Sequence, residues 1–169
     1  MASLQERMQD NMFVNWLKVT YGLVHVKDGL SPVTGRIMSD FQKEINDEIK
    51  YNIVGACSSI SCTSNSIKNP DQFVCENNLC DNILRRIAAE HINKKLIVWK
   101  NCEMREWPKN CWEIAKAYMP RGYSSSTGPN DTDCSGLLHL VCNCKQFRTK
   151  IQLNQDTIQK VKLSVYIYY

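Results

Sequence analysis

Residues 107–122, WPKNCWEIAKAYMPRG, are the most tightly constrained stretch of this chain. Proline behind the first tryptophan suits the opening turn of a helix, where its missing N–H leaves no hydrogen bond unmade. Cys111, Trp112, Ala115, Tyr118 and Met119 then recur at helical spacing as one apolar stripe. Pro120-Arg121-Gly122 ends the helix, because proline cannot continue it and glycine releases the chain.

The rest of the chain is also patterned as helix. Residues Leu4 to Val26 place Met8, Met12, Phe13, Trp16, Leu17 and Val24 on one side, and Gly29 is expected to end that helix. Ser31-Pro32 looks like an N-cap followed by a first helical proline. A second helix should follow, with Val33, Ile37, Phe41, Ile45 and Ile49 four residues apart and Asp40, Lys43, Glu44, Asp47 and Glu48 outward, closed by Gly55. A third runs from about Asn77 to His91 with Leu79, Ile83, Leu84, Ile87 and Ala88 inward. Leu96 to Trp99 is a short β-like apolar run. Tyr123 to Asn130 looks like a Ser/Gly/Pro linker, and a fifth helix should span Asp131 to Phe147, with Cys134, Leu137, Leu138, Val141 and Lys145 on one side. Five or six helices make the class mainly α, a helical bundle with a Cys-rich loop over 56–80 and a short β-like segment. One domain is expected over 1–150, followed by a divergent tail over 151–169.

Net charge is +4, with 21 basic and 17 acidic side chains, a surface balance too mild to demand a nucleic-acid partner. The N-terminus has no basic region followed by an apolar core, and no run of apolar residues is long enough to span a bilayer. A cytoplasmic or nuclear protein is expected, with no membrane partner.

Nine cysteines are many for 169 residues. The number is odd, and a reducing compartment disfavours disulfides, which leaves buried apolar thiols, metal ligands or a reactive thiol. Cys57-x4-Cys62-x12-Cys75-x4-Cys80 is the best candidate for a chemical site. Two spaced pairs flanking a polar loop are the pattern of a structural zinc site, since four thiolates close a tetrahedron around Zn²⁺. A metal would also explain how a loop of this length, rich in Ser and Asn, becomes ordered. Cys102 is an alternative ligand that could fold back towards the cluster. His91 lies about 16 Å along the helix from Cys80 at 1.5 Å per residue, too far to share the ion. Cys111, Cys134, Cys142 and Cys144 lie on or beside apolar stripes and are expected in the core. His25 and His139 lie within apolar patterns and are expected to be structural.

Two tryptophans between a proline start and a Pro-Arg-Gly stop form a rare combination, carried by Trp107, Pro108, Trp112, Glu113, Ala115, Lys116, Met119, Pro120, Arg121 and Gly122. The segment resembles the uncharacterised vertebrate family typified by the human X-chromosome open-reading-frame thirty-eight protein. That family is similar in turn to the HEPN domains found beside the DAZ-interacting zinc-finger ubiquitin ligase. The resemblance covers about Phe13 to Val161 and implies a HEPN-like fold with these ten residues in a structural role. HEPN ribonucleases use Arg-x4–6-His on a late helix, where such residues act on a ribose hydroxyl and stabilise phosphate charge. Here the region after Arg148 has neither Arg nor His, so no catalytic residue is assigned and the chain looks shortened at its C-terminus. Arg86-x4-His91 matches the spacing at the wrong position.

The expected function is therefore a non-enzymatic helical interaction module, zinc-stapled, working through a protein partner or a homodimer. The alternative is RNA or nucleotide binding. Lys94, Lys95, Lys100, Arg105 and Lys109 alternate with Trp99 and Trp107, a composition that would suit phosphates and stacked bases.

Overall fold

A computed structural model describes residues 10–49, 57, 62–63, 67, 73–75 and 78–151. The described residues are mainly helical, with no strand among them beyond a single antiparallel bridge between His91 and Cys144. The helices are α1 (Asn11–Glu48), α2 (Cys80–Glu90), α3 (Cys111–Ala115), α4 (Cys134–Asn143) and α5 (Lys145–Lys150). Short 3-10 turns fill most of the space between α2 and α4.

The two helices expected before residue 50 are one. α1 runs unbroken through Gly29 and Pro32, opened by Asp10, whose carboxylate accepts from the Met12 N–H at 2.8 Å. Proline inside a helix removes a backbone donor and crowds the preceding turn. Neighbouring hydroxyls restore part of what is lost: Ser31 Oγ donates to the Lys27 carbonyl and Thr34 Oγ1 to the Leu30 carbonyl, both at 2.9 Å. Packing supplies the rest. Ile37, Met38, Phe41 and Ile45 are buried, and α1 packs against α3, α4 and the 3-10 turn Pro129–Asp131. Among the described residues, little packs on the N-terminal half. Met12 is 81% and Trp16 60% exposed, and Leu17, Val19, Leu23, Val24 and Val26 are exposed too. The apolar side expected to be buried there faces solvent. Gly55 and Met8 lie outside the described residues.

α2 buries Ile83, Leu84 and Ile87 as the spacing requires. Leu96–Trp99 is not β-like. It lies across two 3-10 turns, Lys94–Leu96 and Trp99–Asn101, with Asn93 capping the first. The 107–119 helix is shorter than its pattern suggests. Trp107 closes a 3-10 turn, Met104–Glu106, and α3 begins only at Cys111, because Asn110 Oδ1 accepts from the Trp112 N–H and outcompetes Pro108 as the start. Residues 123–130 are packed rather than a free linker: Ser126 is buried, accepts from Trp112 Nε1 at 3.0 Å and bonds Thr132 Oγ1 at 2.6 Å. The last expected helix breaks in two at Cys144, whose extended backbone pairs with His91. Lys145 is accordingly exposed, donating to the Ala89 carbonyl at 2.6 Å. The tail after residue 151 lies outside the described residues.

Candidate metal centre

Three of the four cysteines of the paired motif precede α2, at described positions with no regular secondary structure, and the fourth opens α2. The chain returns sharply between Cys75 and Cys80. Asn78 adopts φ +50, a left-handed conformation asparagine tolerates, and its N–H donates to the Cys75 carbonyl at 2.9 Å. Asn78's own carbonyl accepts from the Asn82 side chain one turn into α2. On the other side, the Cys57 N–H donates to the Arg105 carbonyl at 3.0 Å, which ties the loop to the Met104–Glu106 turn. Cys80 Sγ lies 3.7 Å from the Met104 carbonyl oxygen.

This brings Cys57, Cys62, Cys75 and Cys80 together, all four buried, with their Sγ atoms within 4.8 Å of one another. Cys57 Sγ is 3.8 Å from Cys62 Sγ and 3.7 Å from Cys75 Sγ. A Zn–S bond of about 2.3 Å fixes the edge of an ideal ZnS₄ tetrahedron at about 3.8 Å. Two of the Sγ–Sγ separations thus match that edge, and none exceeds 4.8 Å, so the thiols are close enough for a small contraction to seat one such ion. Burial, followed by the neighbouring Cys62, Cys57 and Cys75, pushes the Cys80 thiol far up. A bound dication reverses that preference, because it supplies the countercharge that thiolates lack in a dry site. Cys80 also stands at the N-terminal end of α2, where the helix dipole favours a negative sulfur. Four buried cysteines in this arrangement could hold a metal ion.

Cys102 is outside the quartet, buried with its Sγ 3.9 Å from the Val98 carbonyl. Burial also raises the thiols of Cys102, Cys111, Cys134 and Cys144, the last to about 12, which leaves them inert as nucleophiles. The Arg-x4-His spacing makes no site. Arg86 is held by Glu48 at 2.9 Å and Glu90 at 2.6 Å, 5.6 Å over the Phe41 ring. His91 is buried and stacks on Tyr118 with centroids 5.3 Å apart. His25 is exposed with its ring edge-on to Tyr21, and His139 is half-buried.

The Trp107–Gly122 residues form a hydrogen-bonded hub. Trp107 Nε1 donates to the Glu113 carbonyl, and Glu113 forms a buried ion pair with Lys116 at 2.7 Å. The same carboxylate accepts from the Glu103 N–H at 2.6 Å, while Lys116 Nζ also donates to the Ser124 carbonyl at 2.9 Å. Ala115 and Met119 are buried with Trp112. Arg121 is exposed instead, beside Gly122 at φ +106. Of the residues weighed as an RNA surface, Lys94, Lys95, Lys100 and Lys109 are exposed and Trp99 is half-buried. Arg105 is paired with Glu103 at 3.1 Å, and Trp107 is buried within the core.

These features define a mainly helical protein with four buried thiols gathered to the size of one metal ion. The family model described as "Domain of unknown function (DUF4559)" matches residues 7–165, and the chain belongs to that family. A mouse protein described as "Uncharacterized protein CXorf38 homolog" is 30% identical over 149 residues, which cover 86% of this chain and 45% of the mouse protein. The chain therefore spans about half the length of that curated relative. No solved structure matches it. Among the described residues, no helix is long and apolar enough to cross a membrane.

Proposed function

We propose that this chain is a non-enzymatic helical interaction module whose Cys-rich segment is fastened to α2 by a structural zinc ion. The carrying observation is the buried quartet of Cys57, Cys62, Cys75 and Cys80, with Sγ atoms within 4.8 Å. Four sulfur ligands fill a tetrahedron and leave no position for water or substrate, which is the signature of a structural site rather than a catalytic one. Purified protein should hold about one zinc per chain. Cobalt exchanged into it should show intense sulfur-to-metal charge transfer and tetrahedral d–d bands, and C62S/C80S should lose both. Substoichiometric metal after zinc-supplemented purification, with melting unchanged by chelator, would refute the metal part.

The interaction surface is the solvent-facing half of α1. Met12, Trp16, Val19, Leu23 and Val26 follow one another at alternating intervals of four and three, the spacing of a seam against which another helix packs. Lys18 is the only Asp, Glu, Lys or Arg between Met12 and Val26, so little charge there opposes a second copy. Self-association through this seam fits best. W16E/L23E should convert a dimer seen by sedimentation velocity to monomer without lowering the melting temperature. A wild-type protein that stays monomeric at high concentration would exclude it. The HEPN kinship is part of the same proposal. It is supported by the helical class and the Trp107–Gly122 hub, and it describes a domain of that kind over 1–150 without its catalytic pair.

A further inference from the structure

A second surface goes beyond this module. The turns after α2 and the Pro-Arg-Gly turn enclose an open groove of about 500 Å³. Leu96, Ile97, Val98, Trp99 and Ile67 provide its apolar lining. Lys95, Lys100 and Arg121 also line it, and among the described residues no acidic one does. The ion pairs among the described residues engage Arg85, Arg86, Arg105, Lys116 and Lys150, but none of these three. Three cations without a carboxylate partner among the described residues, set around an apolar floor, call for an anionic partner with an apolar body.

The groove is preformed. The Val98 N–H donates to the Ala117 carbonyl at 3.1 Å, which pins the floor to the hub. Asn101 Nδ2 donates to the Lys116 carbonyl at 3.2 Å and to the Pro120 carbonyl at 2.7 Å, bracing the turn that carries Arg121. Positive φ at Gly122 lets that turn reverse immediately after the arginine. A rigid groove spares a ligand the cost of ordering it.

Floor chemistry selects the kind of anion. Single-stranded nucleic acid is held by successive bases stacked on aromatic faces. Among the described lining residues Trp99 is the one aromatic, half-buried and packed edge-on against Trp107 at 6.1 Å between centroids. The remaining apolar lining is aliphatic, which suits a leucine-like side chain, and lysine and arginine are natural partners for spaced carboxylates. We propose that the groove docks an acidic peptide segment carrying a bulky aliphatic residue, with Lys95, Lys100 and Arg121 reading its carboxylates and the Leu96–Trp99 floor taking the side chain.

The test is fluorescence anisotropy on the full chain with labelled repeats of Glu-Glu-Leu, compared with repeats of Glu-Glu-Ser and with oligouridylate. The Leu-bearing peptide should bind at least about tenfold tighter than the Ser-bearing one, with affinity falling as salt rises. K100E/R121E should lose at least about tenfold in affinity while melting temperature and metal content stay unchanged. Equal binding of the two peptides would reduce the groove to nonspecific charge and overturn the proposal. So would tighter binding of oligouridylate that is lost in the same variant, or no binding of the Leu-bearing peptide. Metal content and sedimentation read on the same samples separate this outcome from the module proposal. A zinc-loaded dimer that ignores the peptide refutes only the groove, and a metal-free monomer that binds it refutes only the module.

Discussion

At the scale of single residues, the side chains that matter most are buried charges and a buried ring. Lys116 and Glu113 are 3% and 11% exposed as side chains, so each depends on the other and on the backbone groups that complete their hydrogen bonds. Removing one partner strands a charge in a dry site. Lys116→Met should therefore cost about 3–5 kcal/mol in urea unfolding, and replacing Glu113 with Leu in the same chain should recover part of that loss. His91 behaves oppositely, because its neutral form is the one the fold accepts. Its Nδ1 accepts from the Asn93 N–H at 3.0 Å, and burial with nearby Lys145 lowers its pKa from 6.5 to about 4. A folded-state pKa below the unfolded one gives stability that is complete above pH 6.5 and is lost as pH falls through 4. The difference is roughly 3 kcal/mol at most. His91→Phe keeps a ring on Tyr118, so its stability should fall less than the natural chain's between pH 6.5 and 4. Parallel curves for the two proteins would show that His91 is not the titrating group.

Elements differ in how well their own sequence announces them. The paired cysteines and the α2 stripe were legible, because ligand spacing and helical periodicity are local signals. The Glu113–Lys116 pair lies on the Trp107–Gly122 segment, but nothing local marks it as buried. Ser31-Pro32 misleads for a definite reason: its residues fit a helix start, yet Ser31 Oγ and Thr34 Oγ1 bond preceding carbonyls and the packed half of α1 carries the helix through. Likewise the break at Cys144 depends on its pairing with His91, a contact between residues 53 positions apart that no local pattern encodes. Arg121 belonged to a recognisable motif, but its place on the groove rim follows only from the Asn101 brace. If Pro32 is tolerated rather than required, relieving it should help. Its ring is exposed, so substitution removes little packing. Pro32→Ala restores a backbone donor inside α1 and should raise stability by about 1–3 kcal/mol, less whatever the unfolded chain gains in freedom. A lower melting temperature would mean that the helix needs its proline-induced geometry to seat Ser31 against the Pro129 carbonyl, 3.3 Å away.

Across the whole molecule, two supports of different kind meet at α2. One is the apolar core, in which Ile83, Leu84 and Ile87 of α2 are buried in one cluster with Phe41, Ile45, Trp112, Ile114, Leu137 and Leu140. The other is the cysteine quartet, joined to the rest through Cys80 at the head of α2 and through the Cys57–Arg105 backbone bond. If zinc holds the quartet, its removal should act unevenly. Four buried thiols gathered without an ion keep the apolar contacts of Phe73 and Leu79 but lose the cross-link that offsets the loop's conformational entropy. Chelation should therefore release the loop and the first turn of α2 first, while Met38, Phe41 and Leu140 retain slow amide exchange. Hydrogen exchange measured with and without chelator distinguishes this from a single cooperative collapse: loss of protection confined to Cys57, Cys62, Cys75 and the start of α2 up to Leu84 is the expected pattern. Ile67 sits between Cys62 and Cys75 and lines the basic groove, so the same experiment should register at that groove as well. The Leu-bearing acidic peptide should bind the chelated protein more weakly, because one apolar wall has lost its anchor while Lys95, Lys100 and Arg121 keep their places on the packed side. Uniform loss of protection throughout α1 and α4 would instead make the metal a condition for folding the entire domain.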